Sequence, residues 1–114
     1  MSTISTHVLD TSRGRPASGV SVALEVFNAG QGWSGLAEGE TDTDGRVSQF
    51  GVSDSQLVPG TYRLVFAVEK YFESLQQRSF YPEVVVTFFI EAAIEHYHVP
   101  LLISPFGYST YRGS

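Results

Sequence analysis

Apolar and polar residues alternate along most of this chain with a period of two. Over 3–10, Ile4, Thr6 and Val8 share one face and Ser5, His7 and Leu9 the other, which predicts a strand. Residues 11–16 are turn chemistry: Gly14 can take positive φ, and Pro16 is excluded from a central strand. Val20, Val22, Leu24 and Val26 form a clean strand face. Residues 28–32, with two glycines and an asparagine, turn the chain into a weaker strand over 33–41, and 42–46 turn it again. Tyr62, Leu64, Phe66 and Val68 repeat the alternation, as do Val84, Val86, Phe88 and Ile90. Residues 97–103 are apolar on both faces apart from His98, and 108–112 predict a last strand. One segment departs from period two: Phe72, Leu75 and Ser79 have helical spacing, which predicts a short helix within 72–80. Short strands separated by Gly, Pro and Asp turns predict an all-β sandwich. No repeat or linker interrupts the pattern, so 1–114 reads as a single domain.

Two strands break the usual division between a core face and a wet face. Val85 and Phe89 oppose the inward set of their strand, and Leu101 and Leu102 put an apolar residue on each face of theirs. An antiparallel sandwich facing water should be polar outside, so association of subunits through a sheet face is expected. Composition strengthens this expectation. Only 17% of the 114 residues are charged, against about 25% in an average soluble domain. The net charge of −5 argues against a nucleic-acid partner, which needs a basic stripe. With no cysteine there is no disulfide framework, thiolate nucleophile or Cys-type zinc site. No apolar run spans a membrane, and the N-terminus lacks the basic and apolar regions of a secretory signal. The expected location is cytoplasmic.

Candidate chemistry is sparse. His7, His96 and His98 are the three histidines. His96-Tyr97-His98 on a strand puts both imidazoles on one face, about 6.6 Å apart along it. That spacing can chelate a metal with His7 as a third ligand, but no carboxylate or thiolate motif supports it. Two half-exposed polar residues at a strand start are the plainer reading. His7 interrupts an apolar-leaning strand; if it and His98 face a shared cleft near an arginine, their pKa values become suited to acid–base work. Arg46 follows the Asp44-Gly45 turn, either as a solvated turn residue or as a planar fork for an anion or amide. The tail 111–114 gathers an aromatic, a guanidinium, a hydroxyl and the α-carboxylate into four residues. There is no Gly-x-Ser-x-Gly elbow.

Four segments carry a resemblance along essentially the whole chain: Ser5-Thr6-His7-Val8-Leu9-Asp10, Thr43-Asp44-Gly45-Arg46, Phe80-Tyr81-Pro82-Glu83, and His96-Tyr97-His98 onward to the terminal Tyr111-Arg112-Gly113-Ser114. Together they resemble the transthyretin-related 5-hydroxyisourate hydrolases, and the terminal tetrapeptide is that family's mark against transthyretin proper. The resemblance implies a transthyretin-like Greek-key β-sandwich of two antiparallel sheets with one short helix. It implies a homotetramer with active sites at the dimer–dimer interface. It further implies hydrolysis of 5-hydroxyisourate, a product of urate oxidation in purine catabolism, to 2-oxo-4-hydroxy-4-carboxy-5-ureidoimidazoline, with no metal or organic cofactor. His7, Arg46, His98 and the tail match the family's site positions, with His96 beside them as a supporting residue.

Opening a ring amide needs an activated water, a stabiliser for the oxyanion and a proton for the leaving nitrogen. His98 is assigned as the base, with Ser114 as a possible intermediary, and His7 as positioning group or proton donor; the two labels are exchangeable. Ser114 has three possible modes: hydroxyl, carboxylate or covalent attack. Arg46 is assigned to hold the planar substrate, Tyr111 to stack on it, and Arg112 to fix the tail against the substrate. The alternative is a transthyretin-like carrier for a small aromatic ligand in a central channel, which calls for an apolar lining rather than this polar set.

Overall fold

The computed structural model describes residues 3–48, 50, 57–91 and 95–113. Among them two sheets pack face to face. The first holds β1 (Thr3–Asp10), β2 (Arg15–Pro16), β5 (Arg46–Val47), β8 (His96–Ser104) and β9 (Gly107–Thr110) in the order β2-β1-β8-β9, with β5 also on β1. The second holds β3 (Ser21–Asn28), β4 (Gly32–Glu40), β6 (Gly60–Phe66) and β7 (Val84–Ile90) in the order β4-β3-β6-β7. Ile4, Val8, Tyr97, Leu101 and Ile103 face Val22, Leu24, Tyr62, Leu64 and Phe66 across the core. The predicted period-two faces are therefore the buried ones.

The sandwich and its two sheets follow the expectation, but pairing is not antiparallel throughout. The second sheet is antiparallel, whereas β1 and β8 run parallel from Thr3↔His96 to Asp10↔Ile103. A hairpin forces antiparallel pairing, and these strands are joined by most of the chain, so either direction is open to them. Their register places Thr3, Ser5 and His7 beside His96, His98 and Pro100.

The helix also differs. It is α1 (Val68–Ser74), not 72–80, and β6 stops at Phe66 rather than running to Val68. Val68 satisfies both periods: it lies two residues past Phe66 and three before Tyr71. Burial of Val68, Tyr71 and Phe72 on one helical face decides for the helix. Gln76, at φ 57°, ends it. Asp10, fully buried, ties this helix to β1: one carboxylate oxygen accepts the Tyr71 hydroxyl at 2.8 Å and the other the Ser12 N–H at 3.0 Å.

The turn before β5 sets the position of Arg46. Asp42 Oδ1 accepts the N–H groups of Asp44 at 2.9 Å and Arg46 at 3.0 Å. The Arg46 N–H is the leading cause holding the Asp42 carboxyl below its ordinary pKa. Gly45 has φ 77°, and a Cβ there would lie 2.4 Å from the Val8 carbonyl oxygen and 3.0 Å from Pro16 Cβ. Gly45→Ala is expected to cost at least about 2 kcal/mol through left-handed strain and backbone collision. That corresponds to a fall in Tm of roughly 8 °C, measured by thermal unfolding. An unchanged Tm would show that the turn moves aside freely.

Candidate active site

The outward face of the first sheet carries the predicted histidines and arginine. His7 on β1 is the direct cross-strand partner of Arg46 on β5, so the two side chains rise from the same face. On the other side of β1, Ser5 pairs with His98 and Thr3 with His96. Ser5, Thr6, Arg46, Ser48, His96 and His98 line a cleft of about 270 Å³. The Arg46 side chain is exposed and makes no ion pair among the described residues.

Hydroxyls hold the imidazoles. Ser5 Oγ lies 2.8 Å from His98 Nδ1 and 2.9 Å from His96 Nε2, and Thr3 Oγ1 is hydrogen-bonded to His96 Nδ1. The two rings are nearly parallel, 15° apart in plane with centroids 6.4 Å apart. Both nitrogens of His96 are thus engaged, and His98 keeps Nε2 as its open nitrogen. Half-burial pushes the His98 pKa below its ordinary 6.5, and the positive charges of Arg46, His96 and His7 add to the shift. No group of three or more metal-ligating side chains occurs among the described residues.

The tail reaches this site from one side. After β9, the Gly113 N–H donates to the His98 carbonyl at 2.9 Å. A Cβ on Gly113 would lie 2.5 Å from His98 Cδ2 and 3.2 Å from Pro100 Cγ. Tyr111, 60% exposed, and Arg112 line a neighbouring hollow of about 290 Å³ with Phe88, Phe89 and Tyr97; His98 borders both spaces. The Arg112 guanidinium turns to Glu95 at 3.4 Å and over the Tyr97 ring at 5.0 Å. The structure therefore gathers His7, Arg46, His98 and His96, and sets Tyr111 and Arg112 beside them. Ser114 lies outside the described residues. Ser5 and Thr3 are not singled out by the sequence, and Gly113 enters there only as part of the tail. Ser5 and Thr3 alternate with His7 in the sequence, yet only the parallel register of β8 brings them to His96 and His98.

The HIUase/Transthyretin family matches residues 4–113. A 5-hydroxyisourate hydrolase of Salmonella dublin is 48% identical over 111 residues, 97% of this chain and 80% of that protein. The structure of Klebsiella pneumoniae 5-hydroxyisourate hydrolase superposes with a TM-score of 0.84 at 38% identity, covering 98% of this chain and 99% of the other. Sea bream transthyretin in complex with thyroxine superposes with a TM-score of 0.91 at 28% identity, covering 97% of this chain and 94% of the other.

Proposed function

Because the chain belongs to the HIUase/Transthyretin family, we propose that it is a hydrolase that opens the ring amide of 5-hydroxyisourate. Fold alone does not separate hydrolase from carrier, since the transthyretin superposes at least as well as the hydrolase. Sequence does: the hydrolases are 48% and 38% identical, the transthyretin 28%. The observation that carries the reading is the cleft itself. An apolar channel suits an aromatic cargo, whereas Arg46 beside a hydroxyl-held His98 of lowered pKa suits hydrolysis of a polar ring.

In this reading the substrate ring lies over Arg46, whose planar fork pairs with two acceptors at once. His98 Nε2 takes a proton from water as the oxygen bonds to the amide carbon. Burial and the nearby positive charges lower the His98 pKa and so favour the neutral ring, the form a base requires. His7 positions the ring or returns a proton to the leaving nitrogen as the C–N bond breaks. Tyr111 closes the open side, and Arg112 anchors the tail through Glu95. No metal takes part. The test is ultraviolet absorbance with freshly generated 5-hydroxyisourate: decay faster than the spontaneous rate and unaffected by chelator is expected. Decay at the spontaneous rate, or activity lost to chelator and restored by zinc, defeats the proposal.

The same reading includes one domain over 1–114, a cytoplasmic location and a homotetramer. No helix of the described residues is long and apolar enough to cross a membrane. Phe89 is 69% exposed and Val85 36%, apolar surface that subunit contact would cover. Light scattering should give four times the chain mass of 12.5 kDa; a monomer mass at micromolar concentration refutes the assembly.

Gly113→Ala tests the tail. Its Cβ forces either His98 or the tail out of place, so kcat/KM is expected to fall at least about tenfold. The core lies elsewhere, and Tm should move little. Full turnover would free the tail from any role at His98.

A further inference from the structure

We propose that Ser5 is a positioning residue whose hydroxyl joins His98 to His96 in a proton relay leading from the cleft to the protein surface. The inference rests on the hydrolase reading above. Ser5 is 8% exposed, and its oxygen sits between His98 Nδ1 and His96 Nε2 at 2.8 and 2.9 Å. A hydroxyl has one proton to give and lone pairs to receive another. Between two imidazoles it therefore donates to one and accepts from the other, and the whole row has two consistent orientations. A surface serine on a strand would need neither contact. His96, at the far end, is exposed and meets the Thr3 hydroxyl.

The relay supplies what the cleft lacks. A base that takes a proton from water becomes a cation, and around His98 that cation is disfavoured by burial and by Arg46, His96 and His7. In the starting orientation His98 Nδ1–H points to Ser5, Ser5 O–H to His96 Nε2, and His96 Nδ1–H to Thr3. When Nε2 of His98 gains the proton of water, the Nδ1 proton passes to Ser5 Oγ. The Ser5 proton passes to His96 Nε2, and His96 releases its Nδ1 proton to the Thr3 hydroxyl, which passes its own proton to solvent. Every hydrogen bond is re-formed in the opposite sense. His98 is left neutral with its proton on Nε2, facing the cleft. One proton enters and one leaves, so charge is conserved.

The experiment uses the full chain with ¹⁵N-labelled histidine, as wild type, Ser5→Ala and His96→Ala. Ring ¹⁵N shifts against pH should show, in wild type, one tautomer for His98 and titrations of His96 and His98 that depend on each other. Ser5→Ala should uncouple them and mix the His98 tautomers. Its kcat should fall about tenfold to a hundredfold, the cost known for losing the partner that orients a metal-bound histidine, with KM within threefold. His96→Ala should lower kcat severalfold, and added imidazole buffer should restore it; a purely structural loss would not respond to buffer. Unchanged ring titrations in Ser5→Ala overturn the relay, as does wild-type kcat in that variant. If Ser5→Ala does not fold, the exposed His96→Ala decides: buffer rescue supports the relay and its absence overturns it. Should wild type fail to accelerate 5-hydroxyisourate decay, the hydrolase reading falls, and the ring titrations alone decide the relay.

Discussion

His98→Asn is expected to lower kcat about a thousandfold, within the 10²–10⁴ range of a general base, and to leave the chain folded. Asparagine can still meet Ser5 from the position of Nδ1, so the contact that holds the ring is kept while the base is lost. The pH dependence follows from the depressed pKa. In wild type the acid limb of kcat/KM should fall below 6.5, the ordinary histidine value, because His98 stays neutral to lower pH than a free ring. Stability carries the same sign. The unfolded ring titrates near 6.5 and the folded ring lower, so within that window the unfolded chain binds more protons. Wild-type stability should therefore fall as pH drops through the window and be untouched by this ring above it. His98→Asn should flatten that part of the profile. A variant with wild-type kcat would move the base to another residue.

Arg46→Lys should fail to preserve function even though it preserves charge. Arg46 is presented by a turn whose backbone is tied to Asp42 and packed under Val8, and its guanidinium makes no ion pair among the described residues. Lysine offers a point charge on a flexible stem where the substrate needs a planar pair of donors. A loss of about a hundredfold in kcat/KM is expected, equivalent to about 2.7 kcal/mol of transition-state stabilisation. Steady-state kinetics of the two proteins measures it. A lysine variant within a few-fold of wild type would reduce Arg46 to a source of charge or a turn residue.

Much of this candidate site is legible in the sequence. His7, Arg46 and His98 stand out because polar groups interrupt or abut apolar strands, and the four motifs place them within one family. Their shared face is not, since a period of two assigns a residue only to a side of its own strand, and the pairing of β1 with β5 and β8 brings the sides together. Tyr111 and Arg112 were harder. Their sequence position puts them near the site, but the Glu95 carboxylate and the Tyr97 ring draw Arg112 aside, and both partners are distant from it along the chain.

By itself, the chain's pattern determined a two-sheet sandwich with its buried faces, the Asp42–Arg46 turn, and the histidines and arginine able to do acid–base work. These are local properties, written in spacing and in backbone preferences. Only the tertiary structure decided the parallel pairing of β1 with β8, the start of α1 at Val68, and the Ser5 hydroxyl lying between two imidazoles. The physical reason is common to all three. Strand direction and register across a long connection depend on how two separate segments share one core. Val68 belongs to a strand pattern and a helix pattern alike until packing chooses between them. A hydroxyl between His96 and His98 exists only once the residue pairs Thr3–His96 and Ser5–His98 have been brought side by side.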